Sequence, residues 1–164
     1  MKIILFLSLL IWVIPGFGKV KIQKPKSQHV TAFAIIVDEM TLEKTGGAVE
    51  AYRDALEADG LSTYIVSGNW KNPDEVKAEI IKLNKRKPVL EGVVFIGDIP
   101  VALIRNAQHM TTAFKMNEDE FPFPESSVPS DRFYDDLHLT FDFICQDSVN
   151  TSHFYYKLRE DSPQ

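Results

Sequence analysis

The chain has 164 residues, 45% of them hydrophobic and 25% charged, the balance of a globular protein with one core. Its 18 Lys and Arg stand against 23 Asp and Glu, a net charge of -5 without a basic stripe, which argues against nucleic acid as a partner. A single cysteine, Cys145, excludes an intrachain disulfide framework and any zinc site made of several thiolates.

The start of the chain reads as a secretory leader. Lys2 supplies a positive end, residues 3–14 are apolar apart from Ser8, and Pro15-Gly16-Phe17-Gly18 offers a cut after Gly18. A membrane span needs roughly 20 apolar residues, so the run is too short for an anchor. The predicted organisation is a signal peptide over 1–18, a loose lead over 19–31 and a single α/β domain over 32–164. The mature protein is then secreted, periplasmic or on the cell surface, with no membrane span left after cleavage. Lys19, Lys21, Lys24 and Lys26 make the lead basic, and Pro25 opposes regular pairing in it.

Residues 32–37 form a continuous apolar run ending at Asp38-Glu39, as expected of a strand buried on both faces. Gly46-Gly47 then opens a helix with Val49, Tyr52 and Leu56 inward and Glu50, Arg53, Asp54 and Glu57 toward water; Gly60 stops it. Residues 62–67 read as the second strand. Asn72-Pro73-Asp74-Glu75 is a helix start, with an N-cap acceptor, proline at the first helical position and acids at the positive end. Val76, Ile80 and Leu83 form that helix's apolar face, and Pro88 ends it. Residues 93–96 are the third strand, closing on Gly97-Asp98.

Strand, helix, strand, helix, strand at this spacing predicts a mainly parallel sheet covered on both faces. Function in such sheets gathers at the carboxyl ends of the strands. Asp38, Glu39, Ser67, Asn69, Gly97 and Asp98 should lie along that edge, although the same residue types also serve ordinary turns. In the next segment Pro122, Pro124 and Pro129 forbid one continuous helix. Residues 139–145 alternate, with Leu139, Phe141, Phe143 and Cys145 on one face, and 154–158 read as a further strand. No helix connects these two, so a hairpin or an edge addition is expected.

A hydrophobic strand ending Val94-Phe95-Ile96-Gly97-Asp98-Ile99-Pro100, followed by Pro129-Ser130-Asp131-Arg132-Phe133-Tyr134-Asp135-Asp136, resembles the gingipain family of secreted cysteine peptidases, over residues 32–164. The resemblance implies a caspase-like, flavodoxin-like three-layer fold and a peptide or protein substrate. It also implies a catalytic His followed by Gly and a catalytic Cys, each at the end of a later strand. Both are expected beyond residue 164, so the chain is read as an incomplete domain, inactive as it stands. The third strand should then be an unpaired edge or be capped by 139–145, and an apolar edge promotes self-association.

Two other functions remain open on the residues alone: a small exported α/β ligand-binding module, and a cysteine hydrolase using Cys145 and His109. Against the second, Met110 and not Gly follows His109, and Cys145 lies on an apolar strand face as a small buried hydrophobe would. His29, His138 and His153 are the other imidazoles. Glu118, Asp119, Glu120, Asp131, Asp135 and Asp136 offer hard oxygen ligands for calcium, which the gingipain resemblance also implies. A solvated acidic loop, with Arg132 pairing to Asp131 or Asp135, explains the same residues. Asn150-Thr151-Ser152 matches a glycosylation sequon.

Overall fold

The computed structural model describes residues 20–105 and 116–162; the predicted leader, His109 and Met110 lie outside them. The apolar run at 32–37 becomes β2 (Thr31–Asp38), preceded by a short β1 (Lys21–Gln23). β1 pairs antiparallel with β3 (Leu61–Gly68), so the lead is not loose: pairing runs through Gln23 and stops before Lys24-Pro25. β2 runs parallel to both β3 and β4 (Val89–Ile96), giving a mixed sheet in the order β1-β3-β2-β4.

β4 is longer than the 93–96 run because Gly92 belongs inside it. A register shift places Phe33 opposite Gly92, where a Cβ would stand 2.9 Å from the Phe33 ring. Gly92 is the gap that the Phe33 ring fills. β4 is an outer strand of this sheet and is not capped by residues 139–145.

Helix α1 (Glu39–Ala58) starts seven residues before its predicted glycine pair. Asp38 is the reason: its side chain accepts from the Thr41 amide at 2.8 Å, capping the helix, so Gly46-Gly47 lies in the interior. Gly60, at φ +93°, terminates it as expected. Arg53 and Glu57, predicted to face water, are buried, whereas Tyr52 is exposed. The lead covers them: Glu57 accepts from the Lys26 and Ser27 amides, each at 2.9 Å, and from the Ser27 hydroxyl at 2.6 Å. Arg53 donates to Gln23 Oε1 at 3.2 Å. α2 (Pro73–Asn84) follows the prediction, with Asn72 accepting from the Glu75 amide and Val76, Ile80 and Leu83 buried.

One face of the first sheet packs Ile35, Val37 and Ile65 against Val49 of α1. The other packs Ala34, Ile36, Tyr64 and Val66 against α2 and against a second sheet. That second sheet takes the order β6-β5-β8-β7, from β5 (Val101–Arg105), β6 (Val128–Pro129), β7 (Phe141–Gln146) and β8 (His153–Leu158). β7 and β8 form the expected hairpin, but β8 also runs parallel to β5, a strand sequence reasoning did not assign. The protein is therefore α/β with two mixed four-stranded sheets among the described residues, in place of one mainly parallel sheet.

Depressed carboxyls tie this architecture to pH. Burial pushes the Glu57 carboxyl up, but the Ser27 hydroxyl and the Lys26 and Ser27 amides outweigh it and hold it below its ordinary value. Burial likewise opposes, and bonds from Thr41 and the Asp98 amide outweigh, at Asp38. Both groups titrate lower in the folded than in the unfolded chain. Their stabilisation is therefore complete above the unfolded carboxylate range, about pH 4, and is lost as pH falls through the folded values. Urea titrations are expected to show stability declining below about pH 4, with a shallower decline in Glu57→Gln. An identical decline in the variant would remove Glu57 from the account.

Candidate functional site

The six strand-end residues do gather at one edge. Val37 lies opposite both Ser67 and Ile96 in the sheet, so the loops after β2, β3 and β4 leave side by side. A cavity of about 330 Å³ opens there, lined by Asp38, Glu39, Asn69 and Asp98 together with Glu43 and Trp70. Ser67 itself is buried in β3. Asp38 is committed to holding the edge together. One carboxylate oxygen caps α1 through Thr41, and the other accepts from the Asp98 amide at 2.8 Å. Gly97, at φ +88°, permits that approach, since a Cβ there would stand 2.0 Å from the same oxygen. Trp70 donates its ring N–H to the Val37 carbonyl at 3.2 Å, and Glu39 pairs with Lys21 at 2.9 Å.

The two segments that carry the resemblance meet beside this edge. A cavity of about 300 Å³ is lined by Phe95, Gly97, Ile99 and Pro100 from one and by Ser130, Asp131 and Tyr134 from the other. Tyr134 donates its buried hydroxyl to the Pro100 carbonyl at 2.6 Å, and its ring meets Phe95 edge-on at 4.8 Å between centroids. Burial, and after it the charges of Asp74 and Asp131, push the Tyr134 phenol far up, so it acts as a hydrogen-bond donor and not as an acid. Phe133 is 1% exposed and reaches the rings of Phe141 and Tyr156.

The aromatic pair thus anchors the segment, and α4 (Arg132–Asp135) turns the polar residues outward. Asp131 and Asp135 are exposed, and Arg132 and Asp136 half-buried. With Ser130, Leu137 and His138 they border an open groove of about 1150 Å³. Among the described residues Arg132 makes no ion pair with Asp131 or Asp135.

Cys145 is half-buried on β7, opposite Tyr155. The alternation expected over 139–145 fails. The strand starts at Phe141, a bulge takes up Ile144 between Phe143 and Cys145, and Phe143 is 57% exposed. Among the described residues no histidine ring bonds Cys145: His138 lies in the groove and His153 contacts Asn150 at 3.0 Å. Among the described residues no three His, Cys, Asp or Glu side chains gather to hold a metal ion. Glu118 pairs with Arg105, its carboxylate 3.7 Å from the guanidinium. Sequence reasoning missed Tyr64 and the three cations near the opposite end of the sheet, because residues 24, 64, 86 and 87 share no local motif. Comparison with protein-family models, with curated proteins and with solved structures finds no match to this chain.

Proposed function

We propose that this is an exported α/β protein built like the N-terminal half of a gingipain-type cysteine peptidase, which binds extended peptide in the groove along 129–138 without hydrolysing it. The supporting observation is the contact of Tyr134 with Pro100, which joins the two segments of the resemblance at the carboxyl end of the first sheet. Asp131, Asp135 and Asp136 outnumber Arg132 on the groove, a charge that selects peptides rich in Arg or Lys. Cys145 serves packing on β7.

The exported protein is expected to begin at Lys19 by mass spectrometry and to bind a fluorescent Arg-rich peptide saturably, with affinity falling in Asp131→Asn/Asp135→Asn. No cleavage products should appear on prolonged incubation. Turnover that vanishes in Cys145→Ala would overturn this reading in favour of a hydrolase. The outer edge of β4, unpaired among the described residues, carries a related proposal, self-association through strand pairing. Gel filtration is expected to show a species larger than the monomer, and a monomer at all concentrations would contradict it.

A further inference from the structure

A second pocket lies at the opposite end of the first sheet, where β2, β3 and β4 begin. It measures about 590 Å³, and its lining includes Lys24, His29, Tyr64, Arg86 and Lys87 but no acidic side chain. The chain as a whole carries a net charge of -5, so this basic cluster runs against the overall charge. Four cations elsewhere are neutralised locally: Lys21 by Glu39, Lys26 by Asp54, Lys82 by Glu79 and Arg159 by Asp142. Lys24, Arg86 and Lys87 form no ion pair among the described residues. His29 adds a ring nitrogen, Nε2, that is buried with no hydrogen-bond partner. An unmet polar atom of this kind is costly.

The wall that carries Lys24 and His29 is held in place before any ligand arrives. Glu57 binds the Lys26 and Ser27 amides, and the His29 amide donates to the Ser62 hydroxyl at 2.7 Å. Arg86 and Lys87 follow the end of α2, where the Arg86 amide bonds the Leu83 carbonyl at 2.9 Å. Two chain segments about sixty residues apart thus present converging positive charge from ordered backbone. Preorganisation of this kind lowers the entropy lost on binding.

We infer that this pocket is a binding site for a small phosphomonoester, its dianion facing Lys24, Arg86 and Lys87 and its organic part lying against Tyr64 and the neighbouring prolines, Pro25 and Pro88. Three cations match a dianion better than a monocarboxylate, and the guanidinium fork suits two phosphate oxygens at once. The volume falls in the range of small-molecule sites.

Calorimetric titration of the whole exported protein with phenyl phosphate, inorganic phosphate and benzoate, at constant ionic strength and pH 7.5, tests the assignment. Phenyl phosphate is expected to bind saturably, and benzoate at least about tenfold more weakly. Arg86→Gln/Lys87→Gln is expected to weaken phenyl phosphate by about tenfold or more, whereas Lys44→Gln, a cation outside the pocket, leaves it unchanged. Lys24→Gln, on the other wall, provides a second variant should the double substitution alter folding. The inference is overturned by the absence of saturable binding, by equal affinity for benzoate, or by affinity that survives both pocket variants. Inorganic phosphate binding as tightly as the phenyl ester would overturn the ester assignment.

Discussion

Phe133→Ala is expected to destabilise the protein by about 3–5 kcal/mol, the range for emptying a fully buried aromatic site. The ring is 1% exposed and lies within 5.1 Å of the Tyr134, Phe141 and Tyr156 ring centroids. Lys77 closes the site from α2, its ammonium 4.9 Å above both the Phe133 and the Phe141 rings and donating to the Leu139 carbonyl at 3.3 Å. Burial pulls the Lys77 ammonium below its ordinary pKa, so the aromatic faces and carbonyls must hold a partly desolvated charge. Truncating Phe133 therefore opens a cavity and takes away one of that charge's partners. Domains of this size are stable by about 5–15 kcal/mol, so the variant should approach the limit of folding. Phe133→Leu, which refills most of the volume, is expected to cost less than about 2 kcal/mol. The midpoint of a urea titration measures both. A loss under about 1 kcal/mol for the alanine variant would mean that the Ser130–Asp136 segment is not anchored as described.

Gly97→Ala is expected to cost about 3–4 kcal/mol, from left-handed backbone strain and the loss of a charge-assisted hydrogen bond. The new methyl would meet Asp38 Oδ2 at 2.0 Å and the Thr41 side chain at under 3 Å, so Asp38 must abandon the Asp98 amide or the helix cap. Asp38→Ala removes both bonds without adding strain, so it measures the bonds apart from the backbone term. Gly46→Ala gives the opposite sign. That glycine lies inside α1 with nothing within 4 Å of an added Cβ, and alanine there should stabilise by about 0.5–1 kcal/mol. Equal effects at Gly97 and Gly46 would show that the turn after β4 is not built around Asp38.

The contrast between these glycines also marks how far the sequence could be read. Asn72-Pro73 announced α2 because capping there is local, with the acceptor three residues from its donor. Asp38 caps α1 equally locally, but its second bond reaches Asp98 across the sheet, and the glycine pair at 46–47 was the louder signal for a helix start. Helical periodicity places Arg53 and Glu57 toward solvent because it carries no information about a lead peptide folding back over them. β5 escaped because its five residues follow β4 so closely, and its parallel partner, β8, lies some fifty residues on. The bulge at Ile144 defeated the period-two reading of β7. At the site, the strand-end edge was legible from topology. The role of Tyr134 was not, because a buried hydroxyl aimed at a carbonyl thirty-four residues away leaves no pattern.

The rate at which Cys145 reacts with an electrophilic peptide probe tests the central claim most directly, since a nucleophile paired with a base is held as thiolate and a packing cysteine is not. Labelling of the protein, followed by mass spectrometry at neutral pH, is expected to be no faster than that of a half-buried model thiol. It should also be unchanged by His138→Ala, His153→Ala or His109→Ala. Labelling at least about a hundredfold faster than the model thiol, and abolished in one of those histidine variants, would contradict the account and establish a cysteine hydrolase.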